Sequence, residues 1–380
     1  TKFIIKYLAA IAGKGGAEGE LEKQLLDANP ILEALGNAKT IKNDNSSRFG
    51  KFIKITFSKD SYISGGSIVS YLLEKSRVTF QLENERNFHI FYQMCRGLPD
   101  NKKSEYGIGD PDDYNYCNQG NSANVADYDD ILEFKATIDA MKTLKFSMEE
   151  TETIFRVVAA IMHLGNIKFE GEDTSKVSNP QVMATACELV GVDPEALTMG
   201  LCRPRIEVRG EKIARNVTPN QAKFALSATA KALYGRMFLW VVAMCNKVLK
   251  VVEKDKFIGI LDIAGFEIFR TNTFEQLCIN FTNERLQQFF NNHMFFFFYY
   301  EYKREGIEWK MVNFGIDSQA TIDLISKAGR GILAMLDEEC VVPNGSDKSF
   351  SEKLTKSYMR HPKYNHDKLG AETAFTIKHY

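Results

Sequence analysis

Hydrophobic and polar positions follow two different periods along this chain, and the periods predict both strands and helices. Residues 51–57 alternate between apolar and polar side chains, which indicates a half-buried strand. Residues 257–261 form a short, uniformly apolar run that is typical of a buried strand. The remaining apolar stretches predict helices over residues 1–12, 31–35, 154–164, 221–252 and 273 to about 302.

Capping and turn residues punctuate these segments. Helix starts are predicted at Asn29-Pro30, at Ser147 with Glu150, and at Thr273 with Gln276. Polar stretches rich in Gly, Asp or Asn predict loops over residues 12–20, 101–124 and 165–179. Strands that alternate with helices indicate an α/β core, here with large helical insertions.

Composition and charge narrow the function classes. The net charge is −1, so no overall field directs the protein to nucleic acid or a membrane, and binding to an acidic polymer would depend on local patches. No uninterrupted apolar run approaches the roughly 20 residues that span a bilayer. The seven cysteines are scattered without a CxxC pair, which favours reduced cytosolic thiols over disulfides or a zinc site.

The first candidate for chemistry is the stretch 43–51 (NDNSSRFGK), which leads directly into the predicted strand. Hydroxyl groups in a loop beside a strand can ligate Mg²⁺ and donate to phosphate oxygens, which is the help that phosphoryl transfer needs. The alternative interpretation is a turn rich in Asn and Ser, because both residue types form caps and Asx-turns.

The second candidate is the stretch 262–267 (DIAGFE), which follows the apolar run 257–261. Asp262 stands at the carboxyl end of a strand, where α/β sheets place ligands, and could hold a metal ion through water. Gly265 lets a backbone N–H approach a terminal phosphate. The alternative is a strand end followed by a helix cap, since DxxG alone is a weak signal. Neither Arg48 nor Glu267 has an obvious local partner, so a pair between them could close over one nucleotide.

At this point the sequence resembles the myosin motor family. The stretch 43–51 resembles its switch I and 262–267 its switch II, and further segments match in order over nearly the whole chain. These are 29–40 (NPILEALGNAKT), 71–77 (YLLEKSR), 85–92 (ERNFHIFY), 163–169 (HLGNIKF), 232–240 (ALYGRMFLW), 274–290 (FEQLCINFTNERLQQFF) and 301–309 (EYKREGIEW). Kinesins share the logic, but Phe49-Gly50 and Phe266 point to myosin.

The resemblance implies roles for the matching residues. Ser47 would ligate Mg²⁺, with Asp262 as its partner through water. Asn43 and Ser46 would contact the phosphates of ATP, and Ser46 would also relay a proton from the attacking water. Gly265 would donate its N–H to the γ-phosphate. Arg48 and Glu267 would form the bridge that closes switch I onto switch II.

It also implies transmission and actin-binding elements. The helix from Thr273 would be the relay helix, and the transmission residues would be Phe266, Phe281 and Trp309. Residues 202–215 resemble the upper actin-binding loop, although a solvated charge run is the commoner cause of such a pattern. Its candidate contact residues are Arg203, Arg205, Ile206, Arg209, Glu211 and Lys212.

The sequence also departs from the family pattern, including at 326–331 (SKAGRG) and 348–360. The phosphate-binding motif GxxxxGK[ST] is absent, so these residues are expected not to hydrolyse ATP alone. The chain starts within a predicted helix and stops where the pattern continues, so we expect a fragment that lacks the converter and lever. Residues 295–300 (FFFFYY) replace a mixed, polar stretch.

We therefore expect an α/β fold of the P-loop NTPase type, with a mixed central sheet and large helical insertions (the myosin head), truncated at both ends. Its expected divisions are 1–60 with switch I, 61–256 as the upper actin-binding subdomain, 257–272 with switch II, 273–310 as the relay, and 311–380 as an incomplete lower actin-binding subdomain.

The expected function is an actin-activated Mg-ATPase motor, closest to the conventional, muscle-like class II. Its expected cofactor is Mg²⁺, its substrate ATP and its partner F-actin, with light chains, dimers and filaments formed through regions outside the chain. The expected location is the cytoplasm and cytoskeleton, with the myofibril thick filament as one possibility. The alternatives are a non-catalytic actin-binding or structural protein on a myosin scaffold and a kinesin-like microtubule motor.

Overall fold

The structure is a computed structural model that describes residues 2–12, 19–208, 211–250, 256–269, 272–308, 318–343, 345–366 and 373–380. The chain divides into two compact units, Thr1–Ala264 and Gly265–Tyr380. The boundary falls inside the stretch 262–267, so the two halves of that motif belong to different units.

The first unit combines nine described helices with nine described strands. The helices are α1 Lys2–Ala12, α2 Glu20–Gly36, α3 His89–Gly97, α4 Asp100–Tyr106, α5 Asp130–Thr143, α6 Met148–Gly165, α7 Pro180–Val190, α8 Pro194–Cys202 and α9 Pro219–Leu249. The strands are β1 Asn37–Thr40, β2 Asn43–Ser47, β3 Gly50–Phe57, β4 Ile63–Tyr71, β5 Phe169–Glu170, β6 Lys176–Val177, β7 Arg205–Val208, β8 Glu211–Ala214 and β9 Lys256–Asp262.

The main sheet of this unit has the strand order β4-β3-β9, and both of its pairings are antiparallel. The other described strands of the unit pair as antiparallel hairpins, β1 with β2, β5 with β6, and β7 with β8. On the β4 side, the Asn246 amide of α9 donates to the Ile68 carbonyl at 2.7 Å and accepts from the Ile68 N–H at 2.7 Å. A side chain thus takes the hydrogen bonds that a further strand would have taken, which protects this edge of the sheet.

The core of the unit lies between this sheet and the helices α2, α6 and α9. Ile31, Leu32 and Leu35 of α2 are completely buried, and the Tyr234 hydroxyl of α9 donates to the Leu35 carbonyl at 2.7 Å. The long apolar helices predicted from the sequence are therefore confirmed, and the capping box at Ser147 and Glu150 begins α6 as expected. The mixture of helices and sheets agrees with the predicted α/β class.

Two predicted boundaries were wrong. The helix α2 begins at Glu20 rather than at Asn29-Pro30, so that Pro30 lies inside it. Burial of Leu25 and Ala28 on the same face as Leu32 outweighs the hydrogen bond that proline removes. The expected loop 101–124 contains α4 and a short 3₁₀ turn at Pro111–Asp113, because Tyr106 is drawn into the core and orders the preceding residues.

The prediction of a buried strand at 257–261 was also wrong in part. The strand is β9, but Phe257, Ile258 and Leu261 are about half exposed and only Ile260 is buried. A continuous apolar run predicts burial on both faces, whereas in the part of the chain that the structure describes β9 has one neighbouring strand, β3.

The helix α9 is long and apolar enough, by length and composition alone, to cross a membrane, which the search for uninterrupted apolar runs overlooked. Four of its residues pack inside the protein, because Ala230, Tyr234, Phe238 and Val241 are buried in the core of the unit.

The second unit is mainly helical. Its elements are α10 Phe274–Asn292, a π-helical segment His293–Phe297, α11 Phe298–Arg304, α12 Gln319–Ser326, α13 Ile332–Val341, α14 Asp347–Tyr358, β10 Tyr364–His366 and β11 Phe375–Ile377. The capping box at Thr273 and Gln276 opens α10 as predicted. A small core forms around Leu324, Ile332, Leu354 and Tyr364.

The predicted relay helix is present from residue 274 to residue 304, with its π-helical segment in the aromatic run. Phe297 and Tyr300 are half exposed or more, as expected where aromatic side chains cover every face of a helix. All seven cysteines are free thiols, and five of them are buried, which agrees with the expectation of reduced cysteines.

Candidate functional site

The stretch 43–47 forms the strand β2 rather than the expected loop. It pairs with β1 so that Asn37 faces Ser47 and Ala38 faces Ser46. The Asn43 side chain accepts a hydrogen bond from the Asn45 N–H at 2.9 Å, so the Asx-turn of the alternative interpretation is also present. The hairpin gives the hydroxyl-bearing residues a fixed backbone.

Asn45 ties this strand to the body of the unit. Its side-chain oxygen lies 2.9 Å from the Asn37 Nδ2 and 3.1 Å from the His89 Nε2. Because an amide oxygen only accepts, the His89 Nε2 carries a proton and donates it. Burial, followed by Arg86 and Arg77, lowers the His89 pKa to about 3, so the ring stays neutral.

Ser46 and Ser47 are both partly buried, with their hydroxyl groups fixed by different partners. The Ser47 hydroxyl donates to the Phe49 carbonyl at 3.1 Å, and the Ser46 oxygen accepts from the Arg48 Nη1 at 3.1 Å. A hydroxyl that donates its proton keeps its oxygen lone pairs for a cation. The arrangement therefore suits the predicted role of Ser47 as a Mg²⁺ ligand.

Arg48 has a local partner that the sequence analysis did not identify. Its side chain is 1% exposed, and its Nε and Nη2 donate to the two Glu74 carboxylate oxygens at 2.8 and 3.3 Å. Burial alone would raise the Glu74 pKa, but the Arg77 and Arg48 guanidinium groups bring it below its usual value. The interpretation that Arg48 lacks a local partner was therefore wrong.

The pair belongs to a longer row of buried charges. The Arg77 Nε donates to Glu74 at 2.6 Å, and its Nη1 donates to Glu85 at 2.9 Å. In the adjoining cluster Arg86 and Asp130 are completely buried and pair at 2.8 Å. Glu74, Arg77, Glu85 and Arg86 stand in the stretches 71–77 and 85–92 that carried the resemblance, whereas Asp130 begins α5. Charged residues placed among apolar ones were the signal that could have identified the four.

Asp262 meets the first motif through the sheet. The register of β3 and β9 places it opposite Lys51, just beyond Arg48 in sequence, and the Lys51 Nζ lies 3.3 Å from the Asp262 carboxylate. Antiparallel pairing thus brings the carboxyl end of β9 to the beginning of β3, where the first motif ends. The Asp262 side chain is 32% exposed, which leaves room for water.

The oxygen donors of the two motifs are of the type that binds Mg²⁺ weakly. No group of three or more His, Cys, Asp or Glu side chains capable of holding a metal occurs among the residues that the structure describes. Mg²⁺ commonly retains several waters and binds through one or two protein oxygens together with substrate phosphates. The Ser47 hydroxyl and the Asp262 carboxylate are oxygen donors of that kind.

Residues 265–267 of the second motif belong to the second unit, and Glu267 is tied to α10. The Glu267 N–H donates to the Asn280 side chain at 2.8 Å, and the Asn280 Nδ2 donates back to the Glu267 carbonyl at 2.7 Å. The Gln276 side chain also contacts the Glu267 carboxylate at 3.3 Å. Movement of Glu267 would therefore act directly on the first turns of the predicted relay helix.

The other residues predicted for phosphate sensing and transmission have varied surroundings. A Cβ added to Gly265 would meet no described atom within 4 Å. The Phe266 ring packs edge-on against His379 at 4.8 Å between centroids, and Phe281 is partly buried on α10. Trp309 lies outside the described residues, and the Arg48–Glu267 bridge, which would join the two units, stays a prediction.

The predicted actin-binding loop is a β-hairpin. β7 and β8 pair with Arg205 opposite Ala214 and Val208 opposite Glu211, and the Arg203 and Arg205 side chains are exposed. Arg209 and the side chains of Ile206, Glu211 and Lys212 lie outside the described part of the chain. The described residues thus form a two-stranded ribbon with exposed positive charge where it begins.

Comparison with known proteins agrees with this architecture. The family model described as "Myosin head (motor domain)" matches residues 1–380. "Myosin heavy chain, non-muscle" from Drosophila melanogaster is 47% identical over 368 residues, which cover 96% of this chain and 18% of that relative. "Myosin-2 heavy chain, non muscle" from Acanthamoeba castellanii is 47% identical over 386 residues, covering 100% of this chain and 25% of that relative.

The chain therefore spans a quarter or less of the length of these relatives. The family match covers both candidate motifs, the helices α3–α9 between them and the helix α10 that follows them. The match agrees with the β1–β2 hairpin, the Lys51–Asp262 register and the helix that follows Glu267. It shows that this chain belongs to the myosin head (motor domain) family.

Proposed function

We propose that this chain is the switch and relay portion of an actin-dependent Mg-ATPase motor of the conventional class. The observation that carries the proposal is the β3–β9 register, which sets Asp262 opposite Lys51 at the point where the Ser46–Arg48 segment enters the sheet. Hydroxyl donors, a carboxylate and a buried guanidinium are thereby collected at one end of one sheet. This is the equipment that phosphoryl transfer requires, since its catalysis depends mainly on positioning and charge stabilisation.

In this proposal each residue acts on ATP through a stated atom. The Ser47 hydroxyl oxygen would ligate Mg²⁺, and the Asp262 carboxylate would hold the ion through water. Bound Mg²⁺ would neutralise the charge that develops on the phosphate oxygens. Asn43 and Ser46 would contact the phosphates, and Gly265 would donate its N–H to the γ-phosphate. The Ser46 hydroxyl would take a proton from the attacking water while passing its own proton to a γ-phosphate oxygen.

In this proposal, movement of the second motif is transmitted to α10 through the hydrogen bonds between Glu267 and Asn280. A bridge between Arg48 and Glu267 would hold the Glu267 backbone in place, and Asn280 would pass that position to the helix by its two hydrogen bonds. Packed elements switch between discrete arrangements, so a small displacement at the loop becomes a larger one at the far end of the helix. Phe266, Phe281 and Trp309 are the proposed transmission residues along this route.

The partners are proposed from the family and the basic hairpin. The hairpin supplies the F-actin contacts, and light chains, the dimer and the filament involve the rest of the heavy chain. Because the two relatives are named non-muscle, they favour a cytoplasmic, cytoskeletal location and lend no support to a muscle-like protein of the myofibril. The 380 residues lack a GxxxxGK[ST] motif, and we propose that they do not turn over ATP by themselves.

The central test is a charge exchange in the intact motor. Arg48→Ala and Glu267→Ala should each abolish steady-state ATP turnover, because either change removes one side of the proposed bridge between the two motifs. The doubly reversed variant, Arg48→Glu with Glu267→Arg, should recover part of the turnover lost by each single reversal. Lys142→Ala, which removes an exposed ion pair with Asp139, is the control and should behave as wild type.

Near-normal turnover in either alanine variant would overturn the bridge. An intact wild-type motor whose Mg-ATPase is not accelerated by F-actin would instead overturn the motor function and favour a non-catalytic actin-binding protein. The alternative of a kinesin-like microtubule motor is excluded, because the family model that matches the chain is that of the myosin head.

A further inference from the structure

Glu74 lies at the centre of the buried charges beside switch I, and the motor family pattern discussed above assigns it no role. It follows β4, and its backbone N–H donates to the Arg48 carbonyl at 2.9 Å. Its carboxylate holds the Arg48 side chain through two hydrogen bonds, to Nε at 2.8 Å and to Nη2 at 3.3 Å. Glu74 therefore contacts Arg48 at both its backbone and its guanidinium group.

Glu74 is itself held from the other side. The Arg77 Nε donates at 2.6 Å to Glu74 Oε2, the oxygen that also accepts from the Arg48 Nε. The Arg77 Nη1 donates to Glu85 at 2.9 Å and to the Arg86 carbonyl at 3.0 Å. The side chains of Arg48, Glu74, Arg77 and Glu85 are all at most 8% exposed. Their charges alternate in sign along the row, which offsets the cost of burying each one.

The contacts define the plane of the Arg48 guanidinium. A two-point bond to a carboxylate fixes the orientation as well as the position of a guanidinium group. The bond uses the Nε side, and the Nη1 atom points to the Ser46 oxygen at 3.1 Å. A second carboxylate that binds Arg48 would therefore meet a guanidinium group whose orientation is already fixed.

The backbone before Glu74 has an unusual conformation. Leu72 has a φ of 50°, in the left-handed region that leucine rarely adopts, and its side chain is 71% exposed. Such a conformation persists only where the surrounding structure determines it, and such positions cluster at functional sites. Here it lies between the end of β4 and the carboxylate that meets Arg48.

We propose that Glu74 is a positioning residue for the switch bridge, holding the Arg48 guanidinium in the orientation in which it receives Glu267. The inference rests on the proposed function, because it assigns Glu74 to the same bridge. With Glu74 in place, closing the bridge requires no reorientation of Arg48. Without it, the guanidinium must be ordered during each closure, and hydrolysis slows while ATP binding does not.

The test compares variants of the intact motor by quenched-flow measurement of the phosphate burst and by stopped-flow measurement of ATP association. Glu74→Gln keeps the size of the side chain but removes its charge, and we expect the burst rate to fall about 100-fold, as for a misplacement of about 1 Å at a reacting centre. ATP association should be unchanged. Glu74→Asp keeps the charge with a shorter reach, and its burst rate should lie between those of wild type and Glu74→Gln.

The matched control is Asp130→Asn, which removes a completely buried carboxylate from the Arg86 pair, outside the contacts of Arg48. It should lower thermal stability and leave the burst rate unchanged. A normal burst in Glu74→Gln would overturn the inference, as would equal losses of burst rate in Glu74→Gln and Asp130→Asn.

If Glu74→Gln does not fold, Glu74→Asp decides the question. A slower burst with normal ATP association supports the positioning role, and a normal burst overturns it. Failure of the proposed function is recognised separately, because the wild-type motor itself would then show no phosphate burst.

Discussion

Individual residues at the candidate site show how burial changes the chemistry of a side chain. Arg48, Glu74, Arg77 and Glu85 are ordinary charged residues in the sequence, but their burial makes each depend on its neighbour. Removing one member of a buried ion pair leaves an uncompensated charge and costs about 3–5 kcal/mol, far more than the loss of an exposed pair. The most informative substitutions therefore keep the shape of the side chain and alter only its charge.

His89 provides a test of burial through pH. Its ring stacks on Tyr128 at 4.2 Å between centroids, and burial together with Arg86 and Arg77 lowers its pKa from 6.5 to about 3. Below pH 6.5 the unfolded chain binds a proton at this residue and the folded chain does not. The contribution of His89 to the pH dependence is therefore a loss of stability as pH falls from about 6.5 to about 3.

We predict that His89→Gln, which keeps a donor for Asn45, reduces this acid sensitivity. Between pH 6.5 and pH 5 the variant should lose about 2 kcal/mol less unfolding free energy than wild type, from one proton at about 1.4 kcal/mol per pH unit. Urea denaturation of the motor at a series of pH values measures the slope. Equal slopes in the two proteins would show that the ring is protonated in the folded state.

At the scale of elements, the switch segment depends on the close approach of α2, β3 and α9. Gly36 ends α2 where a Cβ would lie 2.3 Å from the Phe49 ring and 3.2 Å from the Phe238 ring. Phe49 follows Arg48 directly, is 2% exposed and packs edge-on against Phe238 at 5.0 Å between centroids. The Phe49 ring thus packs between the end of α2 and the long helix α9, in space that is free because Gly36 has no side chain.

We predict that Gly36→Ala destabilises the protein by about 1–3 kcal/mol, the usual cost of overpacking a filled core. Gly200→Ala in α8 is the matched control, because nothing lies within 4 Å of its added Cβ, and it should be neutral or stabilise the helix by up to about 1 kcal/mol. Urea midpoints of the two variants give the comparison. A Gly36→Ala protein as stable as wild type would mean that the Phe49 ring moves aside freely.

At the scale of the whole molecule, the near-zero net charge means that the proposed actin binding would depend on local charges. With a total of −1, no overall field attracts or repels an acidic filament, so the exposed Arg203 and Arg205 at the start of the hairpin would supply the attraction. Exposed charges more than a Debye length apart are screened, and that length is about 8 Å at physiological ionic strength. Weak actin binding should accordingly respond strongly to salt.

We predict that replacing both Arg203 and Arg205 by Gln weakens actin affinity at low salt and flattens its dependence on salt concentration. The control replaces the exposed Lys135 and Lys142 of α5 by Gln, an equal change in net charge at another place, and should leave both quantities unchanged. Co-sedimentation of the intact motor with F-actin over a range of KCl concentrations measures them. Equal effects of the two double variants would show that the total charge controls binding.

Much of the element structure followed from local sequence. The capping boxes at Ser147 and Thr273, the strand β3 and the long helices α6, α9 and α10 were predicted because capping and periodicity depend on neighbouring residues. The errors at Pro30 and at 101–124 arose where burial against distant segments outweighed local preference. The burial of β9 was misjudged because its neighbours come from remote parts of the chain.

The sequence by itself determined the family, the two switch motifs and the residue types that can handle phosphate and Mg²⁺, because these depend on the order of side chains along short stretches. Only the tertiary structure decided that Asp262 lies opposite Lys51, that His89 holds Asn45, and that Glu74 is the buried partner of Arg48. These pairings join residues from separate elements, and a buried charge acquires its partner only when folding removes both from water.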